Sequence, residues 1–180
     1  IAGTAQKYIE QQGEIADKLL HTKPLDGRSV FLDIDLAAAI HFTDFIEKLG
    51  GTVSGISVPY VDINNRENLN KLNALSKVTS FIVANGQPYE KANILSKKPV
   101  DFYISFGDQA AFSAEQGSIP ISLKNVGFFG YEGLKQFIKQ LNHAKISKEM
   151  YDFQNTDDTK FYKASWLRKS SNWYVKQEVK

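Results

Sequence analysis

Short apolar runs alternate with amphipathic stretches from residue 29 to residue 144, and this alternation restricts the chain more than any other feature. Residues 29–34 set the pattern. Val30, Phe31, Leu32 and Ile34 leave no polar face, which fits a strand covered on both sides. Asp35 is then placed to cap a helix over 36–49, where Ala39, Phe42, Ile46 and Leu49 form one stripe and Gly50-Gly51 supplies the stop. The unit recurs without a fixed sequence period. Residues 52–58 are β-rich and end at Pro59, and 65–76 read as a surface helix with Leu69, Leu72 and Leu75 inward. Strands are predicted over 78–84, 100–105 and 120–123, and helices over 89–97, from Phe106-Gly107-Asp108 to Glu115, and over 131–144. Strands alternating with helices imply right-handed crossovers. The expected fold is α/β: a doubly wound, mainly parallel, Rossmann-like sheet of about five strands, whose order the pattern does not reveal. Residues 1–22 form a leading helix, with Ala5, Tyr8, Ile9, Ala16, Leu19 and Leu20 on its apolar side. The α/β domain is expected over 25–144 and an irregular, aromatic-rich tail over 145–180.

Composition removes several function classes. The chain contains no cysteine, which excludes a disulfide scaffold, a zinc finger, a cysteine nucleophile and any iron–sulfur cluster ligated wholly by these residues. His21, His41 and His143 are too scattered to suggest a metal site. Lys and Arg number 22 against 20 Asp and Glu, so no basic field for nucleic acid exists. No apolar run approaches the length of a membrane span. The chain starts at Ile1 without Met or a signal-peptide pattern, so an excised domain or processed product is expected. The tail mixes Tyr151, Phe153, Phe161, Tyr162, Trp166, Trp173 and Tyr174 with basic residues, and reads as an anchor across the body or onto a partner.

Ligands of open α/β sheets bind at the carboxyl ends of strands, beside the switch point. Those ends carry Asp33 and Asp35, then Tyr60, Asn85-Gly86-Gln87, Ser105 to Asp108, and Lys124-Asn125. Asp33 and Asp35 can bind Mg²⁺ or share a proton; the plainer expectation is a solvated Asp33 and a capping Asp35. Tyr60 and Tyr103 read as packing aromatics. Gly86, Gln87, Gly107, Lys124 and Asn125 are the candidate cofactor-binding residues, with no metal ligand and no identifiable catalytic residue. No GxGxxG, GxxxxGK[ST] or Gly-x-Ser-x-Gly motif occurs, which leaves a nucleotide phosphate site or an α/β-hydrolase elbow without support.

Several segments in order resemble the C-terminal domain of the nitrogenase component 1 superfamily, which includes molybdenum–iron protein subunits, cofactor-assembly homologues and dark-operative protochlorophyllide reductase subunits. They are LDGRSVFLDIDLAAAIHFTDFIEKLGGTVSGISVPYVD (25–62), NGQPYEKANILSKKPVDFYIS (85–105), GSIPISLKN (117–125), FFGYEGLKQFI (128–138) and SWLRKSSNWYVKQEVK (165–180). The resemblance implies the last of three Rossmann-like domains in a cytoplasmic oxidoreductase subunit. It implies a metallocluster or substrate site between domains, a homologous partner subunit, and electrons from an ATP-dependent iron–sulfur reductase. The cluster cysteines would lie in earlier domains, so this chain is expected to carry no cofactor and no catalysis in isolation. A histidine that ligates the molybdenum–iron cofactor in the α subunit would fall at or beside Asn125, and neither Lys124 nor Asn125 replaces it. A β-type subunit, an assembly scaffold or a nitrogenase-like reductase fits that departure. Two other readings stand beside this one: a non-redox module binding a nucleotide or sugar, and a purely structural domain making subunit contacts through Trp166, Trp173 and Tyr174.

Overall fold

A computed structural model describes residues 2–61, 64, 67, 69–71, 80–84, 87–107, 110–124 and 130–146. In chain order its elements are α1 (Ala2–His21), β1 (Ser29–Asp33), α2 (Leu36–Lys48), β2 (Thr52–Val58), β3 (Ser80–Val83), α3 (Pro88–Lys97), β4 (Phe102–Ser105), α4 (Ala110–Glu115), β5 (Ile119–Ser122) and α5 (Gly130–Ile146). The strands form one sheet in the order β3-β2-β1-β4-β5, parallel at every pairing. The sheet is doubly wound, as the alternation predicts.

Alternating side chains of the central strands feed two separate core layers. Val30 and Leu32 of β1 and Phe102 and Ile104 of β4 pack with Leu36, Ala39 and Ile46 of α2 and Phe137, Ile138 and Leu141 of α5. Phe31 and Tyr103 point the other way, into a layer with Ala92 and Leu95 of α3 and Phe112 of α4. Gly55 belongs to this second face because a Cβ there would stand 2.6 Å from the Phe31 ring.

Local chemistry accounts for the element ends. Asp35 accepts from Ala38 N at 2.9 Å and caps α2, as its position predicts. Leu49 closes α2, and Gly50 follows with φ +87°, the left-handed conformation that suits glycine. At the opposite end of β1, Asp101 Oδ2 accepts from Ser29 N and Ser29 Oγ, both at 2.8 Å, while its Oδ1 meets Arg28 at 2.8 Å. These bonds tie the start of β4 to the start of β1.

Two expectations change in detail. The apolar side of α1 does not pack along its length: Tyr8 is 59% and Ile9 50% exposed, and only Leu19 and Leu20 reach the core. The helix instead meets α5 through polar contacts such as Lys135 Nζ to Gln12 Oε1 at 2.9 Å. Several strands are also shorter than their apolar runs, because pairing with a neighbour, not hydrophobicity, sets their ends. Most of the helix expected over 65–76 and the tail beyond residue 146 lie outside the described residues.

Candidate functional site

The strand order reverses between β1 and β4, and their carboxyl ends open the crevice typical of such sheets. Asp33, the last residue of β1, stands there. It is not solvated. Its side chain is 8% exposed, and Oδ2 accepts from Lys91 Nζ at 2.8 Å and from Tyr103 Oη at 2.6 Å. Lys91 comes from α3, with a side chain only 6% exposed. The Tyr103 ring stacks on Phe31 with centroids 5.6 Å apart and meets the Phe112 edge at 5.4 Å. Burial and the neighbouring Asp33 charge push the Tyr103 phenol far above its ordinary value, so it remains a hydrogen-bond donor. Tyr103 is thus a packing aromatic, as expected, with a polar tip in use, whereas Tyr60, expected to pack likewise, is 62% exposed. Ser57 pairs with Asp33 in the register of β2, is fully buried, and its Oγ has no hydrogen-bond partner among the described residues.

The sequence places Asp33 in solvent only because its partner lies 58 residues away. Lys91 escapes a sequence reading for a related reason. It shares the inward side of α3 with Ala92 and Leu95, and a lysine on an inward stripe is the one sequence signal that marks it.

The candidate residues spread along the same edge of the sheet. Gln87 is exposed just before Pro88 of α3 and makes no capping bond. The Gly107 carbonyl accepts from Ser105 Oγ at 3.1 Å after β4. Lys124 is exposed beyond β5, with its N–H 3.4 Å from Ser122 Oγ. Gly86 and Asn125 lie outside the described residues. The sheet does not gather these loops at one point. β3 and β5 are its two edges, about 19 Å apart at ordinary strand spacing, so Gln87 and Lys124 rise from opposite ends of the rim.

Sequence reading misses a second feature, a cleft of about 480 Å³ between α2 and α5. Its walls include His41, Phe42, Phe45, Phe106, Leu134 and Phe137, and Phe106 is 43% exposed. Phe45 and Phe137 approach to 5.4 Å between centroids, and Phe42 meets both rings edge-on near 6 Å. Asp35 stands at its edge, at the amino end of α2. A carboxylate already fills that helix end, so the phosphate position used by many Rossmann-like sheets offers repulsion to an anion.

The donor chemistry does not suit an iron–sulfur cluster. The chain has no thiolate, and among the described residues no group of three or more His, Cys, Asp or Glu could hold a metal ion. No helix of the described residues is long and apolar enough to cross a membrane.

Residues 1–145 match the family model for nitrogenase component 1 type oxidoreductases. Among curated proteins nothing matches. Solved structures that share the fold include two of nitrogenase. "Nitrogenase Cp1 at pH 6.5" aligns with TM-score 0.64 and 15% identity over 87% of this chain and 36% of its own. "Nitrogenase Cp1 at pH 5" aligns with TM-score 0.59 and 15% identity over 84% of this chain and 37% of its own. The chain therefore spans little more than a third of the structures it resembles.

Proposed function

The chain belongs to the nitrogenase component 1 type oxidoreductase family, and from that premise we propose that it is the C-terminal Rossmann-like domain of such a subunit. Its carboxyl rim forms one wall of a site between domains, where a metallocluster or substrate is held by ligands from other parts of the subunit. The domain also makes contacts with the rest of its subunit and with a homologous partner. Electrons reach the assembly from an ATP-dependent iron–sulfur reductase in the cytoplasm.

The observation that carries this reading is the crevice at the switch point between β1 and β4, where open α/β sheets place a ligand. The Asp33–Lys91–Tyr103 cluster closes the wall between β1 and β4 with its charges compensated. Lys124 stands exposed at one end of the rim, where an ammonium can attract an anionic ligand. Gln87 offers an amide at the other end.

Two measurements test the reading. In the complete subunit with its partner, Lys124→Glu is expected to lower substrate reduction while leaving iron content unchanged, since the cluster ligands lie elsewhere. The 180-residue chain, supplied with iron and sulfide, is expected to gain no stoichiometric iron–sulfur chromophore. A stoichiometric chromophore on the isolated chain would overturn the proposal.

A further inference from the structure

A groove at the amino end of the sheet, opposite the carboxyl rim, collects cations that the proposed function does not use. It lies between the end of α1, the loop into β1 and the last turns of α5, and encloses about 500 Å³. Lys23, Arg28 and Lys145 line it, and Asp26 is the one carboxylate among its lining residues. Arg28 and Lys145 also line an adjoining cavity of about 180 Å³ beside Asp101. We infer that this groove binds the phosphoryl group of a small molecule, held by Lys23, Arg28 and Lys145.

Each cation has donors to spare. Asp101 Oδ1 meets Arg28 through Nη1 alone, at 2.8 Å, and its Oδ2 is taken by Ser29. The Lys145 ammonium donates to the Pro24 carbonyl and meets no carboxylate among the described residues. The Lys23 side chain makes no hydrogen bond or ion pair among the described residues. Lys145 is half-buried, and its pKa is lowered first by that burial and then by the Arg28 charge. The two cations therefore oppose each other, and an anion between them relieves the repulsion. The carbonyl ends of α1 and α5 favour cations here, yet neither end binds these ammonium groups among the described residues: Lys145 bonds to Pro24, in the loop.

The arrangement selects the ligand. A carboxylate offers two oxygens in one plane, whereas a phosphoryl group offers three acceptor oxygens in different directions and nearly two charges. Donors arriving from the loop, from the start of β1 and from α5 fit the second. Arg28 supplies a planar donor fork and the lysines supply point charges. Leu19 of α1 and Ile138 of α5 add apolar wall for an organic body joined to the phosphate. The site is separate from the switch point, since Arg28 stands about 16 Å from Asp33 along β1.

The 180-residue chain tests this without any cluster, so the result is independent of the proposed role in a larger subunit. Inorganic phosphate and phenyl phosphate are titrated separately by calorimetry at constant ionic strength, which keeps general screening from being read as binding. At least one of them should bind saturably with Kd below about 10 mM. Tighter binding of phenyl phosphate assigns the site to a monoester, and tighter binding of inorganic phosphate assigns it to the free ion. Lys23→Gln and Lys145→Gln should each weaken that binding at least about fivefold. Lys7→Gln, about 21 Å along α1 from His21, should leave it within about twofold. Circular dichroism checks the fold, and Lys23→Gln keeps the test open if Lys145→Gln unfolds, because its side chain holds nothing else among the described residues. Absence of saturable binding by both probes overturns the inference. So does binding that Lys23→Gln leaves intact, or that Lys7→Gln weakens equally. Binding of an acidic peptide but of neither phosphate probe assigns the groove to a protein partner and overturns the inference as well.

Discussion

Removing one member of the Asp33–Lys91 pair leaves the other charged and buried in a crevice with almost no water access. Breaking such a pair typically costs about 3–5 kcal/mol, whereas replacing both members with apolar groups of similar size is often neutral. Asp33→Asn and Lys91→Met are each expected to lower unfolding free energy on that scale in urea denaturation of the chain. The double variant Asp33→Leu/Lys91→Met should recover most of the loss. If it falls by the sum of the single variants, the pair is not acting as a compensated unit. Asp101 supplies a pH signature. Its partial burial raises the carboxyl pKa, but Ser29 N–H, the Arg28 guanidinium and the Ser29 hydroxyl together hold it below the usual carboxylate range. A depressed folded pKa adds stability above the unfolded value, and that stability is lost as pH falls through the folded value. Melting temperature should therefore drop below about pH 4, and Asp101→Asn should flatten that part of the profile. A wild-type slope retained in the variant would remove Asp101 from the account.

Elements begin and end here for local reasons, so their variants should act locally. Asp35→Ala removes the α2 cap and is expected to cost about 0.5–2 kcal/mol. Asp35→Asn should recover much of it, since its side-chain oxygen still accepts from the helix. Gly55→Ala forces a methyl group toward the Phe31 ring within β2 and should cost about 1–3 kcal/mol through overpacking. A neutral result would mean that Phe31 moves freely, which its stacking on Tyr103 argues against. This scale is the most legible in the sequence. The stripe of Ala39 and Ile46, the Asp35 cap and the Gly50 stop are all read from neighbours within a few positions. The exceptions are informative. The apolar residues of α1 suggest burial, yet Tyr8 and Ile9 face water, since periodicity identifies a face but not whether a neighbour covers it.

Across the whole molecule, one sheet divides the core into two layers. Leu141→Ala in one layer and Leu95→Ala in the other should each cost about 2–5 kcal/mol. Their effects should add within about 0.5 kcal/mol, because the side chains belong to separate layers. A larger coupling energy in the double variant would show that the layers adjust together. The α/β class was determined by the sequence itself, because strands buried on both faces and amphipathic helices can satisfy their surfaces only as alternating layers. Family membership was legible too, through segments between residues 25 and 138 that lie inside the 1–145 matched by the family model, whereas the segment at 165–180 lies outside that match. The strand order, the partner of Asp33, the separation of Gln87 from Lys124 and the aromatic cleft belong to the tertiary structure alone. Each depends on which distant segments become neighbours: Lys91 reaches Asp33 only when α3 crosses to the second face, and α2 meets α5 only once the sheet is wound. Propensity, caps and periodicity act over a few residues, whereas these contacts follow from the packing of the complete sheet.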